Sequence, residues 1–136
     1  MKQSYQIFPV GIVHKDDDLT EIEIYADFSD ALLGLDSFSH IIVLYWFHNN
    51  DTPNERSILQ VHPRKNKKNP LTGVFGTHAP VRPNLIAISI CKIQSIAANR
   101  IRIDSIDAVD GTPVIDIKSY FPHKEPKTDI KLPDWV

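Results

Sequence analysis

At 136 residues the chain can bury roughly two-thirds of the surface its unfolded form exposes, so one core suffices without disulfide or metal staples. A formal net charge of −2 argues against a protein that coats nucleic acid indiscriminately, and the lone Cys91, inside an apolar run, allows no intramolecular disulfide and fits a reducing cytoplasm. The N-terminus has no apolar signal core and no window approaches the roughly 18 apolar residues of a membrane span, so a soluble, cytoplasmic protein is expected.

In chain order, the first strand is expected over Tyr5–His14, with Pro9 marking an edge or bulge, and the second over Glu21–Tyr25, which alternates with period two. Phe28, Ala31, Leu32 and Leu35 have helical spacing; Asp27 or Ser29 can cap this one short helix and Gly34 can end it. Ser39–His48 is apolar on both faces, which suits a central strand buried on both sides, and it runs into a polar turn. Residues 50–69 carry little apolar periodicity beyond one candidate strand at Ile58–His62 and read as a long functional or mobile loop. A short strand at Val74–Phe75, a turn at Pro80–Pro83, a strand over Ile86–Ile96, a hairpin at Asn99–Arg100 leading into Ile101–Ile106, and a last strand at Val114–Lys118 follow. The sum predicts an all-β fold, a small antiparallel barrel of about seven strands with one short helix. It would occupy residues 1–122; an extended tail, 123–136, with an exposed aromatic at Trp135, would belong to the same domain or dock on a partner subunit.

Two proline-stiffened, polar-tipped turns, Gly73–Asn84 and Asp110–Pro113, stand out as ligand-site material, because Arg82, Asn84, Asp110 and Thr112 offer hydrogen bonds to a small polar molecule. Neither matches a phosphate-loop or dinucleotide fingerprint. Arg64, Lys65, Lys67 and Lys68 crowd one segment that could contact an RNA phosphate backbone, although no aromatic interleaves them and a solvated loop is the plainer alternative. The six histidines are scattered without close ligand spacing, so no metal site is expected.

The segments Gly34–Ile41, Tyr45–His48, Gly73–Thr77, Arg82–Asn84 and Asp107–Lys118 resemble, in that order, the TsaA-like (TrmO-like) family, over roughly residues 7–123. The resemblance implies a small β-barrel that binds S-adenosyl-L-methionine, usually as a homodimer with the cofactor near the subunit interface. It also implies a tRNA methyltransferase acting on N6 of a threonylcarbamoyl-modified adenosine beside the anticodon. Residue by residue, it implies cofactor contacts at His48 and Asn49, at the turn Asp110, Gly111, Thr112 and Pro113, and an apolar contact at Ile88. Relatives usually carry arginine where this chain has His78, and a polar pair where it has Ala79 and Val81; they also carry a proline-arginine-glutamine motif after the first strand that is missing here. A histidine gives one titrating hydrogen bond where an arginine fork gives two parallel ones. His78 and Arg82 are nonetheless candidate cofactor contacts.

The chemistry of these residue types agrees with that implication: a sulfonium cofactor needs an apolar slot for adenine, donors for its carboxylate and oxygens near its ammonium and ribose. The acceptor N6 must lose a proton, and His40 or His48 is the candidate base. The competing expectation is a non-catalytic barrel that holds a nucleotide or RNA.

Overall fold

The computed structural model describes residues 2–136. Among the described residues eight strands form: β1 (Gly11–Lys15), β2 (Thr20–Ile24), β3 (His40–Trp46), β4 (Gln60–Val61), β5 (Thr72–Gly73), β6 (Ile86–Ala97), β7 (Arg100–Ile103) and β8 (Pro113–Ser119). Six of them close into an antiparallel barrel in the order β1-β2-β7-β6-β3-β8, while β4 and β5 pair separately. Closure removes the sheet edges that would otherwise invite further pairing. The chain forms two compact units: the barrel, running through His48 and resuming over Ile86–Tyr120, and an arm built from Asn49–Leu85 with Phe121–Val136.

Alternation builds the barrel. Val13 on β1, Ile22 and Ile24 on β2, Ile41, Val43 and Tyr45 on β3, Ala87 and Cys91 on β6, Ile101 and Ile103 on β7, and Val114 on β8 all point inward and are buried. Each fully buried isoleucine contributes about 1.5–3 kcal/mol of transfer free energy, so this shared interior is the main stabilising term. Gly11 is required where β1 meets β2, since a Cβ there would lie 2.3 Å from the Glu23 carbonyl oxygen. The interior's one Tyr hydroxyl, that of Tyr45, is satisfied by Ser89 Oγ at 3.0 Å; desolvation by burial pushes its pKa above the ordinary phenol value.

Several expectations shift. The first strand begins only at Gly11, and the apolar residues before Pro9 stay extended and exposed, with Phe8 stacked on Phe28 at 5.8 Å. The expected α-helix is instead a 3₁₀ stretch, Ala26–Leu32, with no side-chain cap at Tyr25 and with Ser29 Oγ donating back to the Ala26 carbonyl. Gly34, at φ +85°, separates it from a second 3₁₀ turn, Leu35–Ser37. Val74–Phe75 is also 3₁₀, and the strand lies just before it at Thr72–Gly73. The hairpin tip falls on Ala98 and Asn99, with Ala98 in the left-handed region, rather than on Arg100.

The central strand is buried on only one side. Its outward residues Ile42, Leu44 and Trp46 are half-buried and stand opposite Ile90, Ile88 and Ile86 of β6. Those three isoleucines are 57%, 58% and 43% exposed, so two adjacent strands present an apolar outer face.

The arm is organised differently. Its one α-helical turn, α1 (Pro53–Arg56), starts from Thr52, whose side chain accepts from Glu55 N at 3.1 Å. Among buried hydrophobic residues it holds only Val74 and Leu85, and its backbone is held mainly by local hydrogen bonds. The tail after Phe121 forms no strand or helix, and Trp135 is half-buried rather than exposed. No helix among the described residues is long and apolar enough to cross a membrane.

Candidate functional site

Strand register sorts the candidate residues in the barrel. β8 runs antiparallel to β3, with Val114 opposite Tyr45 and Ser119 opposite Ile41. The turn Asp110–Pro113 therefore sits at the end of the barrel where β3 runs out into His48, and where β6 begins at Ile86. His40 starts β3 at the opposite end. The six steps of β3 from His40 to Trp46, at about 3.3 Å each, put roughly 20 Å of strand between His40 and the end that leads into His48, so the two histidines do not meet at one reacting group in one chain. His40 Nδ1 bonds Ser39 Oγ at 2.7 Å and its ring tilts on Tyr120 with centroids 6.2 Å apart.

The turn is stiff. Gly111 adopts φ +83°, its N–H donates to the Val13 carbonyl at 2.8 Å, and Val13 N–H donates back to the Thr112 carbonyl at 2.9 Å. The Thr112 hydroxyl donates to the Val109 carbonyl at 2.7 Å, so this buried side chain braces the turn and has no donor left for a ligand. Asp110 Oδ1 accepts from Lys15 N at 2.8 Å, while its other carboxylate oxygen takes no hydrogen bond among the described residues. Lys15 Nζ clamps the preceding segment by donating to the Ile106 and Ala108 carbonyls, at 2.8 and 3.2 Å. Sequence reading did not single out Lys15, because nothing local marks a lysine whose partners lie more than 90 positions away. A shallow depression of about 380 Å³ opens here, lined by Lys15, Asp16, Asp17, Asp107 and Asp110 among others. Its acidic rim suits a cationic group. His48 is half-buried in a 3₁₀ turn, and Ile88 lies on the exposed outer face of β6.

In the arm, Arg82 is partly committed to its own loop: Nη1 donates to the Thr77 and Ala79 carbonyls, both at 3.1 Å. The Thr77 hydroxyl donates to the Val74 carbonyl at 3.0 Å and accepts from Ala79 N at 3.1 Å, so residues 74–82 form a braced turn. Arg56, another residue not singled out, fastens its end by donating from Nε to the Pro83 carbonyl at 2.9 Å. His78 and Asn49 are exposed, and Arg82 keeps Nε and Nη2 free of partners among the described residues. Among the described residues no three His, Cys, Asp or Glu side chains cluster as metal ligands.

Residues 5–125 match the model of the tRNA-methyltransferase O N-terminal domain. The chain belongs to that family. It is 47% identical over 116 residues to a Methanocaldococcus jannaschii protein named "probable S-adenosyl-L-methionine-binding protein", covering 85% of this chain and 92% of that one. A protein of the same description from Pyrococcus horikoshii is 47% identical over 118 residues, 87% of this chain and 84% of its own. The TrmO crystal structure from Pseudomonas aeruginosa superposes with a TM-score of 0.74 at 26% identity, over 99% of this chain and 63% of that chain. The chain thus spans a little under two-thirds of that solved structure's length, and its residues 50–69, expected as a long functional or mobile loop, contain defined turns and a short strand.

Proposed function

We propose that this TrmO-family chain is an S-adenosyl-L-methionine-dependent methyltransferase acting on tRNA in the cytoplasm, with N6 of a threonylcarbamoyl-modified adenosine as the acceptor. The observation that carries the reading is the convergence, at one barrel end, of His48 and the Asp110–Pro113 turn with an acidic depression beside it. The side chains fit the cofactor's chemistry. Asp110 has an uncommitted carboxylate oxygen for an ammonium or a ribose hydroxyl, and Ile88 offers apolar surface for a purine. Gly111 keeps the turn backbone open, with nothing within 4 Å of where a Cβ would stand. Taken by itself, the arm keeps donors on Arg82, His78 and Asn49 of the kind that bond a carboxylate.

The bound cofactor would supply an electrophilic methyl on a sulfonium. The chain's own task is positioning, because an in-line displacement gains most from holding donor and acceptor at near-attack distance. Thr112, Gly111 and Lys15 hold the turn rigid, Asp110 orients, and His48 accepts the acceptor's proton. The proposal uses His48 alone as the base, since His40 is engaged with Ser39 and Tyr120 at the far end.

Isothermal titration with S-adenosyl-L-methionine tests this directly. Saturable binding is expected in the wild type, with a tenfold or greater loss in Asp110→Asn, which keeps an acceptor for Lys15 N but removes the charge. Binding without methyl transfer to tRNA would instead leave a non-catalytic binding module.

We further propose a homodimer built on the outer face of β3 and β6. Six apolar residues, Ile42, Leu44, Trp46, Ile86, Ile88 and Ile90, lie in register across two strands there. Ile90→Glu should convert a dimer to a monomer in sedimentation; a wild type that is already monomeric at micromolar concentration sinks the idea.

A further inference from the structure

Residues 62–69 of the arm form a closed loop held by its own polar groups. His62 Nδ1 bonds the Asn69 carbonyl at 2.8 Å, and the Pro63 carbonyl accepts from Asn66 N at 3.2 Å and from Asn69 Nδ2 at 2.8 Å. Asn69 N donates to the Asn66 carbonyl at 2.9 Å, and Asn66 Oδ1 accepts from Lys68 N at 3.0 Å. Within this frame Arg64 and Lys65, neither a glycine, are held in the left-handed region at φ 59° and 54°. Such backbone is unfavourable for residues with a Cβ and persists only where the surroundings enforce it. A merely solvated loop has no need of it.

The loop displays Arg64, Lys65, Lys67 and Lys68, all exposed. Arg64 Nε donates to the Trp135 carbonyl at 2.9 Å. Among the described residues none of the four pairs with a carboxylate. In a chain of net charge −2, this is an unneutralised cationic surface on a prefolded frame. No Phe, Tyr or Trp lies among residues 62–69 to stack on bases.

We infer that this loop is a preorganised clamp for the RNA phosphate backbone, which sets the position of the nucleic acid without reading its sequence. The inference rests on the tRNA reading above and adds the surface and mode of contact. Phosphate contacts position a nucleic acid and carry no base information, and each releases counterions, so they dominate the salt dependence of binding. A frame that is already folded avoids the ordering cost that a flexible basic tail meets on binding.

The test is anisotropy titration of labelled tRNA across a salt series, using the full chain. In the triple variant Lys65→Gln/Lys67→Gln/Lys68→Gln the slope of log affinity against log salt should fall by about 2 to 3, with affinity down more than about tenfold near physiological salt. An unrelated RNA of equal length should lose as much. Asn69→Ala keeps every charge but removes the amide that ties the loop to Pro63, and should weaken binding several-fold with the slope unchanged. Cofactor titration should be the same in all variants. An unchanged slope in the triple variant, with cofactor binding intact, overturns the clamp alone; a wild type that binds neither tRNA nor cofactor overturns this and the methyltransferase reading together. A triple variant that loses binding only to phosphatidylglycerol vesicles would assign the loop to a membrane surface and overturn the RNA clamp.

Discussion

The barrel and the arm are stabilised by different physics. In the barrel every strand contributes inward side chains to one apolar interior, so its stability is shared and should be lost cooperatively. The arm has two buried hydrophobic residues and a series of bonds between side chains and nearby backbone, at Thr52, His62, Asn66, Asn69, Thr77 and Arg82. Each such bond contributes about 0.5–1.5 kcal/mol net, and each holds its own few residues. The difference teaches where function can vary: the arm's turns can change one at a time, whereas a change in the barrel interior is felt throughout.

The largest effect that would break this contrast is expected at Ile41, which is fully buried at the centre of the barrel pairing. Ile41→Ala should cost about 3 kcal/mol by transfer and cavity terms, seen as a lower urea midpoint with an unchanged slope. Amide protection should fall together across β3, β6 and β8. Loss confined to β3 alone would show that the barrel is not the cooperative unit its shared core implies.

That contrast also governs what could be read from sequence. Apolar patterning, period-two at β2 and continuous on both faces at β3, located β2, β3, β6, β7 and β8 to within a few residues, because each must turn one face inward. It failed at Tyr5–Phe8, where β-favouring residues dock an extended segment against Phe28 instead of joining the ladder. It also misjudged β3, since apolar residues on both faces fit two-sided burial and an exposed outer face equally well. In the arm, Thr52-Pro53-Asn54-Glu55 carries a capping-box pattern that signals the start of α1, although the Asn and Asp residues around it give the same segment the look of a plain turn. The closure of residues 62–69 was not legible, because which carbonyl an asparagine amide reaches depends on the folded path. The pattern of the Asp110–Pro113 turn was visible, but not that Thr112 faces inward as a brace or that Lys15 holds Asp110.

A smaller effect sharpens the comparison from the arm's side. Thr52→Ala removes the acceptor for Glu55 N and should cost about 1 kcal/mol of local stability. Hydrogen exchange should rise at the amides of Glu55, Arg56 and Ser57, while the protected amides of β3 and β6 keep their rates. A shift in the barrel's global unfolding midpoint as large as that of Ile41→Ala would mean the arm's bonds act through more than their own turn.

The smallest effect concerns a surface link within the barrel. Desolvation alone would raise the Asp104 carboxyl, but hydrogen bonds from the backbone N–H groups of Lys92 and Ser105, helped by nearby His40, outweigh it and hold the pKa below the ordinary carboxylate value. A depressed folded-state pKa means that the unfolded chain binds the proton more tightly. The link therefore stabilises the barrel above the ordinary carboxylate pKa and is lost as pH falls through the lower folded value. Asp104 is exposed, so solvent screening keeps the contribution under about 1 kcal/mol. Asp104→Asn should be slightly less stable than wild type at pH 7, and the gap should close in acid, below about pH 4. Cys91 supplies the opposite sign: desolvation by burial, with Asp104 nearby, pushes its thiol up to about 11, so its contribution is complete at neutral pH and disappears only as pH rises towards that value. A gap between wild type and Asp104→Asn that persists unchanged to pH 2 would show that the carboxylate's charge is not what ties β6 to the end of β7, and would leave the backbone pair between Asp104 N and the Lys92 carbonyl as the whole of that link.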